Sequence, residues 1–498
     1  MATRHSKIPA EIDSELSPHA RKFFVGLIDH YERRIAELLQ RIERLEGRIV
    51  ELESTIVKLS PKNSSLPPST QHPHNKAPAK PKRQPGKRKK QGAQPGHRRA
   101  TRPLIPTKDC DEVQRLVPKS CRKCQQPLTG SDSQPLRHQV FELPEIKSIV
   151  TEYQLHRLTC ACCGTQTCAP LPPGVPTGQC GPRLAAMTGL LLGHFRQSKR
   201  RAASFLSDLL KIPCSPGWIV KIQNHVSNAL EQPYQQLQQE LMNQPQLFVD
   251  ESPTKQKHDK AWLWVAVAAK FAVFGIFLNR KRESLKALIG DYSGKIINCD
   301  RAKMYYDGKR LQWCWAHLKR DVQKLIDSPN GQTKRLGHDL MRQLRELFEH
   351  WRAYKAGDRS WRSFQLSVAP IRKEFNSLLV RGLFSGNAKL IGFCSELWDR
   401  KEWLWTFTKV QGIEPTNNTA ERALRPAVIY RKLSFGTQSA AGSRFIERML
   451  TVTETCRLQN RSPFEYLAAT MEVYFRNETP TSLIPPTVKA KRSTSKAA

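Results

Sequence analysis

Acidic residues are scarce in this chain. Across 498 residues, 44 Asp and Glu stand against 81 Lys and Arg, a formal net charge of +37, and no acid occurs between Glu53 and Asp109. So large an imbalance implies a polyanionic partner, and nucleic acid is the commonest. An acidic membrane surface is the rival reading, but it needs an anchor, and uninterrupted hydrophobic runs are also missing. The longest, Ala261 to Leu278, carries Lys270 at its centre. Its β-branched and aromatic residues fit two buried strands joined by a turn around Ala269–Lys270, not a membrane span. The polar N-terminus has no signal peptide, so a cytoplasmic location without a membrane is expected. Thirteen cysteines make an odd count, and several sit in CxxC spacing. Together with the missing signal sequence, that favours reduced thiols and metal binding over a disulfide framework.

The length is far beyond one compact core, so roughly two to four domains are expected. Between Ile28 and Leu59, apolar residues recur at alternating steps of three and four: Ile28, Tyr31, Ile35, Leu38, Ile42, Leu45, Ile49, Leu52, Ile56 and Leu59. Isoleucine at every a position with leucine at most d positions favours a parallel two-stranded coiled coil, here over 20–59. Arg41 and Arg48 at g would face Glu46 and Glu53 at e across a homodimer, so self-association is expected. The pattern stops after Leu59. Residues 60–107, rich in Pro, Lys, Arg, Gly and Ser, cannot bury enough apolar area to offset ordering and read as a basic disordered linker. Its run from Lys80 to Arg102, with Lys87, Arg88, Lys89 and Lys90 at its densest, would bind phosphates by counterion release without sequence preference.

Residues 108–180 hold Cys121-Arg-Lys-Cys124 and, after alternating stretches such as SIVTEYQLHRLTC, Cys160-Ala-Cys162-Cys163. Two CxxC pairs with strands between them match a zinc ribbon, in which four thiolates about 2.3 Å from the ion close a tetrahedral structural site. Cys121, Cys124, Cys160 and Cys163 are the expected ligands; by spacing alone, Cys162 or Cys168 could replace one of them. Residues 181–240 read as helical, and Arg200 to Leu210, a Pro-containing break, then Gly217 to His225 are compatible with a helix-turn-helix.

From Gln246 strands return. Gln246-Leu-Phe-Val-Asp250 is an apolar run ending in a carboxylate; the two strands of 261–278 follow, then a helix over Glu283–Ile289, then Lys295-Ile-Ile-Asn-Cys-Asp300, again ending in Asp. That order opens an RNase H-like α/β domain, in which the first and fourth strands are neighbours and their terminal acids can share a divalent cation. Glu421, in Pro415-Thr-Asn-Asn-Thr-Ala-Glu421-Arg, is the candidate third acid, near the start of a helix capped by Asn417 or Thr416. Two Mg²⁺ or Mn²⁺ ions about 3.5–4 Å apart suit in-line phosphoryl displacement, and Mg²⁺ prefers a few hard oxygen ligands.

In order along the chain, these segments resemble the IS66 family of bacterial insertion-sequence transposases. The resemblance covers the coiled coil, NSSLPPS with its basic tail, the two CxxC pairs, Phe248-Val-Asp-Glu-Ser-Pro, Cys314-Trp-Ala-His-Leu-Lys-Arg320, Asn417-Asn-Thr-Ala-Glu-Arg-Ala-Leu-Arg-Pro, Arg431-Lys-Leu-Ser-Phe-Gly and Ser462-Pro-Phe-Glu-Tyr-Leu467. It implies a catalytic triad of Asp250, Asp300 and Glu421 in a DDE domain over 241–470, with a helical insertion at about 321–405 and a basic tail after 471. It also implies strand cleavage and transfer on DNA, action at transposon ends and target in the bacterial nucleoid, and accessory proteins of the same element. Arg422, Arg425, Arg431 and Lys432 would hold DNA phosphates beside the metals. Trp398, Trp403 and Trp405 cluster near the end of the insertion, where a core role is expected. Cys314 and His317 form a CxxH pair read as structural. Two departures from the family pattern are Cys299-Asp-Arg-Ala-Lys-Met-Tyr305, where Gly-Tyr more often follows the acid, and Arg431-Lys-Leu-Ser-Phe. The alternatives are a zinc-ribbon and helix-turn-helix DNA-binding regulator with an inactive catalytic domain, and an RNase H-like nuclease that cuts without joining.

Overall fold

The computed structural model describes residues 12, 14–59 and 102–485. Lys87, Arg88, Lys89 and Lys90 lie outside the described residues. The first element, α1, is one helix over Pro18–Leu59, about 60 Å long at 1.5 Å per residue. Along it Tyr31, Ile35, Leu38, Ile42, Leu45, Ile49 and Leu52 are all exposed. The other described residues therefore leave this apolar seam uncovered.

By internal contacts the chain divides into two units, the smaller being residues 74–152 with 205–213. Within the smaller unit, Gln139 holds Ile105 through both backbone groups at 2.9 and 2.8 Å, and Arg102 lies over the Phe141 ring. In the larger unit, β1 (Arg157–Thr159) and β2 (Gln166–Cys168) form an antiparallel hairpin. The alternating stretch 148–160 suggested longer strands. Only three of its residues pair, because Ile149, Val150 and Leu158 are exposed and have no apolar layer to face.

Four helices follow: α2 (Pro182–Gly193), α3 (Lys199–Leu210), α4 (Pro216–Ala229) and α5 (Glu231–Leu241). Ser215 caps α4 by accepting the Trp218 N–H, with Pro216 in the first turn. The chain then enters a five-stranded mixed sheet made of β3 (Gln246–Gln256), β4 (Asp259–Val267), β5 (Ala272–Phe277), β6 (Ile296–Cys299) and β7 (Arg310–Trp313), with α6 (Arg282–Ile289) between β5 and β6. The strand order is β5-β4-β3-β6-β7. The first three are antiparallel neighbours, while β6 runs parallel to β3 and to β7. The apolar run 261–278 is thus β4 and β5, turned at Ala268–Phe271, and Trp264 to Val267 and Ala272 to Phe274 are fully buried. No described helix is long and apolar enough to cross a membrane.

Helices α7 (Trp315–Ile326), α8 (Gly331–Ala356), α9 (Trp361–Leu383) and α10 (Ala388–Asp399) come next. Asn330, Ser360 and Asn387 cap the last three of them. Trp405 is buried among Trp315, Phe375 and Phe407, in the core role expected for it. Trp403 packs on Tyr306 and Trp313, and Lys401 lies over Trp398. Three helices end the described chain: α11 (Asn418–Ser434), α12 (Ala440–Leu458) and α13 (Pro463–Phe475). Helix α12 closes the free edge of β5 with side chains one turn apart. Glu447, Thr451 and Thr455 accept the N–H groups of Ile276, Phe274 and Ala272. An edge strand that would otherwise template further pairing is thereby satisfied.

Candidate active site

The sheet register brings the first two candidate acids together. In the parallel β3/β6 pair, Phe248 stands opposite Asn298; Asp250 and Asp300 each follow by two residues, so they occupy equivalent places on neighbouring chains. Asp300 opens the loop after β6, and its Oδ1 accepts the Ala302 N–H at 2.8 Å, which fixes the carboxylate.

Glu421 lies in the first turn of α11, and the chain entering that helix is tied to the strand ends. Asn298 Nδ2 donates to the Glu414 carbonyl at 2.7 Å, and the Trp315 N–H donates to Pro415 at 3.0 Å. Asn417 Nδ2 donates to the Val249 carbonyl at 2.8 Å, one residue before Asp250, while its backbone N–H donates to Cys314 Sγ at 3.1 Å. Asn417 is the N-cap residue, yet its side chain does not cap the helix. It grips β3 instead, and the first-turn N–H groups are left without a side-chain acceptor.

Four carboxylates act on one another here through their charges, although the ligating atoms of Asp250, Asp300 and Glu421 do not all lie within 4.8 Å of one another. Burial, then the charges of Glu251, Asp300 and Glu421, push the Asp250 carboxyl well above the ordinary carboxylate range. Glu251, with its side chain only 2% exposed, is pushed up to about 7, first by burial and then by Asp300. Its two oxygens are held by Arg280 Nε at 2.8 Å and by the Tyr305 hydroxyl at 2.6 Å. The same guanidinium reaches to 3.9 Å from Asp300 Oδ2. Arg280 balances Glu251, and Asp250 is raised by burial first and by the neighbouring carboxylates second. Hard oxygen donors under such repulsion fit divalent cations.

Glu421 Oε1 is buried without a hydrogen bond, as is His317 Nδ1. The two atoms are 3.5 Å apart, with Arg320 at 3.6 Å from the same oxygen. Burial, then Arg320, lowers the His317 pKa and favours the neutral imidazole. Cys314, His317 and Glu421 have their ligating atoms within 4.8 Å of one another. The CxxH pair, set aside from sequence as structural, thus stands beside the candidate third acid. Glu251, Arg280 and Tyr305 were missed as well, and only the adjacency of Glu251 to Asp250 signalled them. The loop after Asp300 has a further brace: Arg301 reaches Asp321 at 2.6 Å and Glu396 at 3.1 Å, and Tyr306 donates to Glu396 at 2.6 Å.

The cysteine pairs share one backbone design. Cys121 N–H donates to Gln126 and Gln125 N–H returns to Cys121; Cys160 N–H donates to Thr165 and Gly164 N–H returns to Cys160. Gln125 and Gly164 both take the left-handed conformation, with φ of 61° and 71°. Hydrogen bonds from the loop, first the Cys124 N–H and then the Lys123 N–H, lower the Cys121 thiol pKa. The Thr165 hydroxyl does so most strongly for Cys163. The CxxC mate of each thiol lowers its pKa further. Such tight turns with thiolate-favouring donors fit zinc. Cys168 instead lies in β2, with its thiol toward the Leu155 carbonyl.

Compared with known proteins, residues 178–444 match the family model described as "Transposase IS66 family". The chain belongs to the IS66 transposase family. A model for a family of unknown function matches residues 15–103. Two Sinorhizobium fredii proteins are similar, both described as uncharacterized. Protein y4qI is 24% identical over 409 residues, covering 72% of this chain and 71% of its own length. Protein y4jO is 29% identical over 181 residues, covering 36% and 52% respectively. Among the basic residues that follow Glu421, expected from sequence to hold DNA phosphates, Arg422, Arg425 and Lys432 are exposed on α11. Arg431 turns inward and donates to Ser252 Oγ at 3.1 Å and to the Pro253 carbonyl.

Proposed function

We propose that this IS66-family transposase is of the DDE type, cleaving and joining DNA strands through an RNase H-like domain with Asp250, Asp300 and Glu421 as metal ligands. The observation that carries this reading is the β3/β6 register, which puts two acids at equivalent strand ends while Asn417 draws the helix bearing Glu421 against the same strand. Two Mg²⁺ or Mn²⁺ ions bound there would activate the attacking oxygen and stabilise the leaving one. The protein's own groups orient these ligands: Arg280 and Tyr305 fix Glu251 beneath the site, Arg301 holds the loop after Asp300, and His317 and Arg320 face Glu421. Arg422, Arg425 and Lys432 supply phosphate contacts beside it, together with Lys87, Arg88, Lys89 and Lys90 on the basic segment.

Structural Zn²⁺ would take thiolates from the turn of Cys121 and Cys124 and from that of Cys160 and Cys163. The exposed seam of α1 supports a parallel homodimer. Transposon ends, target DNA and accessory proteins of the same element complete the partners.

The test is a cleavage and joining assay with Mg²⁺ or Mn²⁺ on DNA carrying the element's end, comparing wild type with Asp250→Asn, Asp300→Asn and Glu421→Gln. Wild-type joining lost in all three supports the reading. Cutting without joining points to a nuclease, binding without cutting to a regulator, and full activity in a variant removes that acid from the set.

A further inference from the structure

The face of α11 that no other described element covers begins beside Glu421. It passes Arg422 and Arg425, then Ile429, Lys432 and Leu433, and ends on Phe435. The apolar members are well exposed: 40% for Ile429, 63% for Leu433 and 79% for Phe435. Phe435 is unfavourably placed in a second way. As the C-cap of α11 it adopts the left-handed conformation, φ 58° and ψ 18°, where glycine or asparagine is the ordinary choice and a Cβ is penalised. A strained aromatic held in water gains nothing for the fold, and such positions cluster where a ligand is met.

The turn that presents it is rigid. Gly436 follows at φ 110°, and a Cβ there would run into the Lys255 carbonyl. Thr437 N–H donates to Lys255 at 2.9 Å, and Lys257 N–H returns to Thr437 at 2.8 Å. Phe435 therefore sits beside the tip of the β3/β4 hairpin, where Lys255, Lys257 and Lys260 are exposed. An apolar projection between basic groups on two elements complements a phosphate-lined duplex with a base stack at its centre.

We propose that Phe435 is a wedge that enters the base stack of bound DNA and unstacks one step. It lies fourteen residues beyond Glu421, so at 1.5 Å per helical residue and 3.4 Å per base pair the step is at most about six base pairs from the cut, the limit being reached if α11 runs along the duplex. This inference rests on Glu421 as a catalytic acid and extends that reading to how the DNA is held.

The test uses the full-length, zinc-loaded chain and a duplex of the element's own end, with 2-aminopurine substituted singly at successive positions and Ca²⁺ in place of Mg²⁺. Wild type raises the fluorescence at the step reached by the wedge. Phe435→Gly still binds the duplex but loses the rise, and Phe435→Trp keeps it. Because glycine relieves the backbone strain, Phe435→Gly melts no lower than wild type, which separates loss of the wedge from loss of fold. In Mg²⁺, a mismatch built into that step restores cleavage to Phe435→Gly. The proposal is overturned if the glycine variant keeps the fluorescence rise, or if it changes the oligomeric state while wild type leaves the stack untouched; the latter outcome would make this face a protein interface. Wild type that unstacks the duplex yet never cuts it would sink the transposase mechanism and leave the wedge standing. Cutting with no unstacking would do the reverse.

Discussion

Around the sheet, Trp264, Trp313, Trp315 and Trp405 are fully buried, and side chains reach backbone groups far away in sequence, Asn417 donating to the Val249 carbonyl and Thr451 accepting the Phe274 N–H. From residue 111 to residue 170 no residue is buried, and two three-residue strands form the only ladder. The first region is held by apolar burial, which costs no cofactor. The second has no buried residue to hold it, and the zinc proposed for its cysteine turns would supply the missing order. In a chain this rich in like charge, such a cross-link would also resist the repulsion that expands an uncored segment.

The largest expected effect sharpens that contrast. Structural zinc contributes on the order of 10 kcal/mol to small metal-held folds, so chelation should remove hydrogen-exchange protection from residues 111–170 while the β3 and β4 amides keep theirs. Unchanged protection in both regions after metal removal would break the comparison. Next comes the core: Trp405→Ala should cost about 3–5 kcal/mol in denaturant unfolding, whereas Trp398→Ala, at a half-buried position, should cost clearly less. Equal losses would show that burial does not rank the two.

A smaller effect tests the brace at the sheet edge. Burial raises the Glu447 carboxyl to about 7, against the pull of Arg444. Because the folded pKa lies above the unfolded one, the stability linked to Glu447 protonation is present in acid and is lost as pH rises toward 7. Glu447→Gln lacks that loss, so relative to wild type it should gain about 2 kcal/mol between roughly pH 5 and pH 8. A flat difference across that range would mean that Glu447 titrates normally.

The sequence made the strand ends readable because each is an apolar run closed by one acid, and Asp250 and Asp300 came from that pattern alone. Glu421 needed the helix-start signal and the family resemblance. Strand β7, only four residues long and exposed at Arg310, carries too little pattern to be seen. The bracing groups were hidden for a different reason. Arg280 lies 29 residues from Glu251, and Arg301 lies 95 from Glu396, and periodicity says nothing about which charged side chains converge across such spans. The sequence offers Asn417 or Thr416 as the helix cap, since such residues before a helix usually are caps; the nearby Val249 carbonyl competes for the Asn417 side chain, and no local signal reveals that. The cysteine segment shows the converse. Its ligand candidates are plain in the spacing, while the strands suggested around them mostly do not form.

The central claim is that Asp250, Asp300 and Glu421 jointly bind catalytic cations, and its most direct test is a Mn²⁺ titration of the full-length chain on uncut DNA, read by electron paramagnetic resonance. The account predicts about two Mn²⁺ per chain, affinity weakened roughly tenfold or more by Asp250→Asn, Asp300→Asn or Glu421→Gln, and no change with Arg422→Ala. Mn²⁺ bound as tightly by Asp300→Asn as by wild type would contradict it.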